Sequence, residues 1–154
     1  MIDTPTLAEA QPRPTAVIRG ASIPMAELGT FFDAGFRELP EAIDRQGAVI
    51  TSAAFALYLS MPTDVVDVEI GFAVDRPIEP TGRVVPGMLP GGRLATAVYA
   101  GGYDGLGAAW GEFRTWLDEH ELATDAVFWE VYVVEPTPTM DPADLRTELV
   151  VPVR

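Results

Sequence analysis

The chain passes through one order of elements and then through it again, and this repetition restricts its folding more than any other feature. TAVIRGA, from Thr15, alternates apolar and polar residues as a half-buried strand does. Ser22 and Pro24 supply a helix start, because a proline in the first turn gives up an N–H that has no helical acceptor. Leu28, Phe32, Phe36, Leu39 and Ile43 recur at three- and four-residue spacing and form one apolar helix face. Pro40 is expected to kink or end this helix, and Gly47 to stop it. FALYLSM (55–61) and VDVEIGFAV (66–74) follow as strands. Beyond the Pro- and Gly-dense stretch 76–92, which reads as a connection, the order returns. RLATAVYAG (93–101) is a strand, residues 104–122 form a helix with Leu106, Trp110, Phe113 and Leu117 on one face, and VFWEVYVV (127–134) and LRTELVVPV (145–153) are strands.

One such module offers a small sheet and a single helix, too little to bury its own apolar face. Two modules together close a core and leave a groove on the pseudo-twofold axis between them. The expected fold is therefore α+β: a duplicated strand-helix-strand-strand module with pseudo-twofold symmetry, antiparallel sheets and two main helices around a central cleft. With 154 residues there is material for one core. Residues 1–13 read as a tail or edge segment and 14–154 as a single domain, with half one at 14–75, the connection at 76–92 and half two at 93–154.

Charge narrows the choice of partner. A formal net charge of −13 and the lack of a basic stripe argue against nucleic acid and against an anionic membrane surface, and favour a small cation. Without cysteine, neither disulfides nor thiolate metal sites can form, and the lone His120, set among acids in LDEHEL, reads as a solvated residue. No cofactor and no metal are expected. LPGGRL and AGGYDGLG are rich in glycine but lack phosphate-loop and dinucleotide spacing, so they read as turns. Residues 1–14 carry no basic or apolar leader, and no run reaches the length of a membrane span, which makes the cytoplasm the expected location. The oligomeric state stays open, a homodimer included.

The strand FWEVYVV holds a carboxylate at its centre. Alternation puts Phe128, Glu130 and Tyr132 on one face and Trp129 on the other. When the two modules are set side by side, Tyr58 answers Tyr132 and Glu69 answers Glu148, but Glu130 answers Ala56. One copy alone has the acid, as suits a recognition group better than a requirement of the fold. A carboxylate among aromatic rings matches a lipophilic cation, whose charge the acid neutralises while its flat body stacks on the rings. The competing reading is an ion pair with Arg19, Arg93 or Arg114.

The phrases LPGGRLATAVYAGGYDGL (89–106), WLDEHEL (116–122), WEVYVVEP (129–136) and RTELVVPVR (146–154), with the tyrosine strand FALYLSM, resemble the GyrI-like small-molecule-binding family, the bacterial effector-binding domain. The resemblance runs in order from Thr15 to Arg154. It implies two pseudosymmetric strand-helix-strand-strand units, a central cleft for flat, hydrophobic, often cationic compounds, and a strand glutamate as charge partner, which by position is Glu130. Members of the family occur behind DNA-binding domains as multidrug-sensing regulators and also alone; this chain reads as the stand-alone kind. Other relatives are associated with protection from gyrase-directed toxins, and some hydrolyse cyclopropanoid genotoxins.

The expected function is binding of a hydrophobic cationic or aromatic molecule at Glu130, for sensing or sequestration. Hydrolysis of an electrophilic toxin with Glu130 as general base is the alternative, and a gyrase-protecting interaction module is a second one. Tyr58 and Tyr132 serve either as lining or as symmetric core packing. Phe128 shares the face of Glu130. Trp110 lies on the second helix's core stripe, where it packs or flanks the cleft. Tyr103, after two glycines, covers the helix end or overhangs the cleft as a lid. Trp129 is structural, or lines whichever side proves open. Trp116 packs at the margin of its helix.

Overall fold

The structure, a computed structural model, describes residues 2–154. Among these, eight strands and two main helices follow in the order β1 (Thr6–Ala10), β2 (Arg13–Pro24), α1 (Leu28–Arg45), β3 (Ala54–Tyr58), β4 (Val65–Ala73), β5 (Val84–Leu89), β6 (Gly92–Ala100), α2 (Leu106–Glu119), β7 (Phe128–Tyr132) and β8 (Arg146–Pro152). The strands make one open antiparallel sheet in the order β1-β6-β8-β7-β3-β4-β2-β5. The fold class is α+β, with a single continuous sheet in place of the separate sheets expected.

Each of the six expected strands overlaps an observed one, with ends displaced by up to three residues, and the differences have local causes. The first strand does not give way to a helix at Ser22. A bulge between Gly20 and Ile23 carries β2 on to Pro24, and Ser22 sits at φ 50° with its N–H donating to Asp67 Oδ1 at 2.7 Å. A side chain at Gly20 would put its Cβ 2.7 Å from Ile23 Cγ1, so the bulge needs a glycine there. A 3-10 turn over Met25–Glu27 leads into α1.

Pro40 does not end α1, which runs through it to Arg45. Proline withholds one N–H from Phe36's carbonyl. Pro40 is exposed, and water can serve that carbonyl. The stretch 76–92 is more than a connection: Val84–Leu89 pairs antiparallel with β2, and as an edge strand it tolerates Pro86. At the other edge, Thr6–Ala10 pairs with β6.

One core cluster joins the sheet to both helices. Leu39, Ala42 and Ile43 of α1 and Ala109, Phe113 and Leu117 of α2 meet Ile18, Val68, Ile70, Ala97 and Leu149 of the sheet. Gly35 brings α1 close, since a Cβ there would fall 2.4 Å from Ile70 Cδ1. A second cluster of Val17, Phe55, Leu57, Leu89, Trp129 and Val150 covers the opposite face.

Candidate functional site

The site follows from what the helices leave uncovered. Helix α1 packs on β2 and β4, and α2 on β6, so the central pair β3 and β7 lies between them. Their register sets Ala54 opposite Tyr132, Ala56 opposite Glu130 and Tyr58 opposite Phe128. Alanines on β3 leave room that a larger cross-strand neighbour would fill. The result is a cleft of about 1120 Å³, just above the usual range for small-molecule sites. Its floor includes Ala54, Tyr58, Glu130 and Tyr132. The long wall is α1, which contributes Leu28, Phe32, Asp33, Phe36, Arg37 and Pro40; Tyr103, Leu106, Val133 and Glu135 border the other side.

Glu130 is only 6% exposed, yet no basic side chain pairs with it among the described residues. Two neutral donors hold it: Trp110 Nε1 donates to Oε2 at 2.8 Å, and the Tyr132 hydroxyl donates to Oε1 at 2.9 Å. Arg19 instead pairs with Glu69 at 3.2 Å. The Arg114 guanidinium lies 5.3 Å from the centres of both the Trp110 and Phe128 rings, and its Nη1 donates to Thr124 Oγ1 at 3.3 Å. The ion-pair reading of Glu130 therefore does not hold.

Burial raises the Glu130 carboxyl above its ordinary range, and the bonds from Trp110 and Tyr132 oppose that rise only in part. The neighbouring phenols respond in kind. Burial, followed by the carboxylate's proximity, holds Tyr58, Tyr103 and Tyr132 in their protonated forms beyond the usual phenol range. An anion flanked by neutral hydroxyls and an indole is stabilised without being neutralised. It keeps its attraction for a cation.

The seven residues singled out in the sequence divide by position. Tyr58, Tyr103, Glu130 and Tyr132 border the cleft. Tyr103 is 40% exposed and meets Tyr132 edge-on at 5.7 Å, over the mouth. Phe128 is buried behind Tyr58, with the two rings stacked at 5.1 Å. Trp110 stands against Phe113 and Phe128 and reaches the carboxylate from behind, outside the cleft lining. Trp129 is on the far face, 4% exposed, beside a smaller hollow of about 200 Å³. His120 packs on Trp116 at 4.0 Å and is away from the cleft.

Sequence reasoning missed the share taken by α1 and β4. Phe32 meets Tyr132 at 6.3 Å, and Phe36 meets Phe72 edge-on at 5.8 Å, which makes one aromatic wall running up to the carboxylate. The signal available was the aromatic half of a stripe whose other half is aliphatic.

Solved structures of similar fold are numerous. The EcmrR C-terminal domain is 19% identical, with a TM-score of 0.84 over 98% of this chain and 97% of that one. EcmrR in its complex with DNA matches over 97% of this chain and 57% of that one, at 20% identity and a TM-score of 0.82. A hydrolase from Listeria innocua matches at 13% identity and a TM-score of 0.69, over 97% and 91% of the two chains. SAV2435 bound to tetraphenylphosphonium matches at 13% identity and a TM-score of 0.67, over 99% and 94%. No curated protein matches the sequence. At these identities the likeness is one of fold, and the sequence itself carries the family: residues 4–154 match it from end to end, and the chain belongs to the GyrI-like small molecule binding domain family.

Proposed function

We propose that the protein binds a hydrophobic, cationic small molecule in the cleft between its two halves, with Glu130 as charge partner, for sensing or sequestration. The observation that carries this reading is a nearly buried carboxylate, held by neutral donors and free of any arginine, at the floor of an aromatic cleft. A desolvated carboxylate is costly to leave unpaired. A ligand cation supplies the missing charge, and Tyr58, Tyr132, Phe32 and Phe36 offer ring faces to its apolar body. Residues 14–154 form one unit in this reading, with halves 14–75 and 93–154. The recurrence of strand, helix, strand, strand in both halves supports a pseudo-twofold relation between them. SAV2435, of similar fold, has tetraphenylphosphonium bound, which makes that cation a rational probe.

Calorimetry with tetraphenylphosphonium is the test. Glu130→Gln keeps the shape and removes the charge, and is expected to weaken binding about tenfold or more, the scale of a desolvated charge contact. Unchanged affinity ends the proposal.

A second reading is favoured by the raised titration of the same acid and by the likeness to a protein described as a hydrolase. Here Glu130 is a general base that activates water against an electrophilic ligand. Incubation with a cyclopropane-bearing alkylator, followed by mass spectrometry, separates the two: a water adduct formed over many turnovers requires catalysis, whereas stoichiometric retention rejects it.

A further inference from the structure

Among the described residues, the cleft is lined by one cation of its own, and that cation has no partner. The protein has ten arginines and no lysine, against 23 acidic residues. Among the described residues, eight of the ten arginines have an ion-paired or hydrogen-bonded acceptor. Arg37 and Arg93 have none. Arg37 borders the cleft, one turn beyond Asp33 on α1.

Its isolation is not for want of acids. Glu41, one turn further along the helix, is the natural i,i+4 neighbour, but Arg45 takes it at 2.5 Å. Glu38, next in sequence, is taken by Arg83 at 2.6 Å. Asp33 lies at the other favourable spacing and is not within ion-pair distance. On a surface of net charge −13, an unengaged guanidinium at a ligand cleft points to an acceptor that arrives with the ligand.

We infer that the ligand is amphoteric: a flat lipophilic cation that also bears a carboxylate, with the cation over Glu130 and the carboxylate on Arg37. The inference rests on the reading of Glu130 given above. Phe32 touches Tyr132, which bonds Glu130, and Arg37 is five residues on from Phe32, about 7.5 Å along the helix axis at 1.5 Å per residue. The body between the two charges would lie along Phe32 and Phe36. Asp33 and Glu135 border the same mouth and disfavour a carboxylate there, while Arg37 attracts one, so the orientation with the carboxylate on Arg37 is favoured. Arginine suits this role because its planar fork donates two parallel N–H bonds to a carboxylate.

The experiment compares tetramethylrhodamine, which carries a free carboxylate, with its methyl ester, by fluorescence anisotropy against the wild-type protein, Arg37→Gln, Arg93→Gln and Glu130→Gln. The ratio of acid to ester affinity is expected to fall about three- to fivefold in Arg37→Gln, the range of an exposed charge contact, and to hold in Arg93→Gln. A ratio that Arg37→Gln leaves unchanged, while Glu130→Gln weakens both dyes, overturns the amphoteric ligand and leaves the cation site standing. Equal falls in the Arg37 and Arg93 variants also overturn it, by assigning the effect to net charge. Insensitivity of both dyes to Glu130→Gln removes the cation site and this inference with it.

Discussion

Trp110 and Glu130 come from different elements, α2 and β7, and are joined by a single bond of 2.8 Å from the indole N–H to carboxylate Oε2. This bond couples the position of the helix to the charge state of the strand. Arg114, four residues along α2, lies over the same indole with its guanidinium 5.3 Å from the ring centre.

Trp110→Phe keeps most of the ring and deletes the donor. A bond to the charged form lowers an acid's pKa, so its loss raises Glu130 further, and cation binding sets in at a higher pH. The fold loses about 1–3 kcal/mol, the scale of a bond to a charged group. Affinity measured across pH 5–9 and a denaturant melt check both effects. A variant whose binding profile overlies that of the wild type would mean that the indole holds the ring cluster and not the carboxylate.

The same titration acts on stability. The folded protein holds the Glu130 proton to a higher pH than the unfolded chain does, so folded molecules bind more protons between the unfolded value, about 4.3, and the raised folded one. Stability therefore falls as pH rises through that window, by about 1.4 kcal/mol for each pH unit it spans. Glu130→Gln removes the penalty. Its melting temperature is expected to exceed that of the wild type at pH 7–8, with the gap closing below about pH 4. A gap that stays constant with pH would separate the stabilisation from ionisation.

The element order was legible because period-2 and period-3.6 patterns alternate cleanly along the chain, and alternation alone separates Glu130 and Tyr132 from Trp129. Edge structure was not. Val84–Leu89 contains Pro86 and Gly87, which argue against a central strand and say nothing against an edge one. Pro40 misled because an exposed helix can lose one bond to water cheaply, and exposure is not written locally. Phe32 and Phe36 share a stripe with Leu39 and Ile43, and apolar periodicity is the same whether a side chain meets a core or an open cleft. The bond from Trp110 to Glu130 depends on how α2 lies over the sheet, which no local pattern encodes.

Gly35 sets how closely α1 approaches the sheet, and with it the width of the cleft. Gly35→Ala gains about 1 kcal/mol of helix propensity but forces a methyl to within 2.4 Å of Ile70 Cδ1, in a core position with no exposure. Overpacking of this kind costs about 1–3 kcal/mol. A net loss is expected, and Ile70→Val, which deletes that Cδ1, should restore part of it in the double variant. Additive losses in a denaturant double-mutant cycle would show that the contact does not limit the helix.

The split stripe of α1 predicts opposite behaviour for residues three apart. Leu39 is 0% exposed beneath the helix, so Leu39→Ala is expected to cost about 2–5 kcal/mol while the folded fraction still binds the cation. Phe36 is half-buried, and its edge-on contacts with Phe32 at 5.9 Å and Phe72 at 5.8 Å belong to the cleft wall. Phe36→Ala is expected to cost about 1–2 kcal/mol in stability, on the scale of lost aromatic pairs, and to weaken tetraphenylphosphonium about tenfold through the missing ring face. Calorimetry well below each variant's melting point keeps the two quantities apart. Equal binding losses in the two variants would mean that the wall acts only by supporting the fold, and the stacking role of Phe36 would be withdrawn.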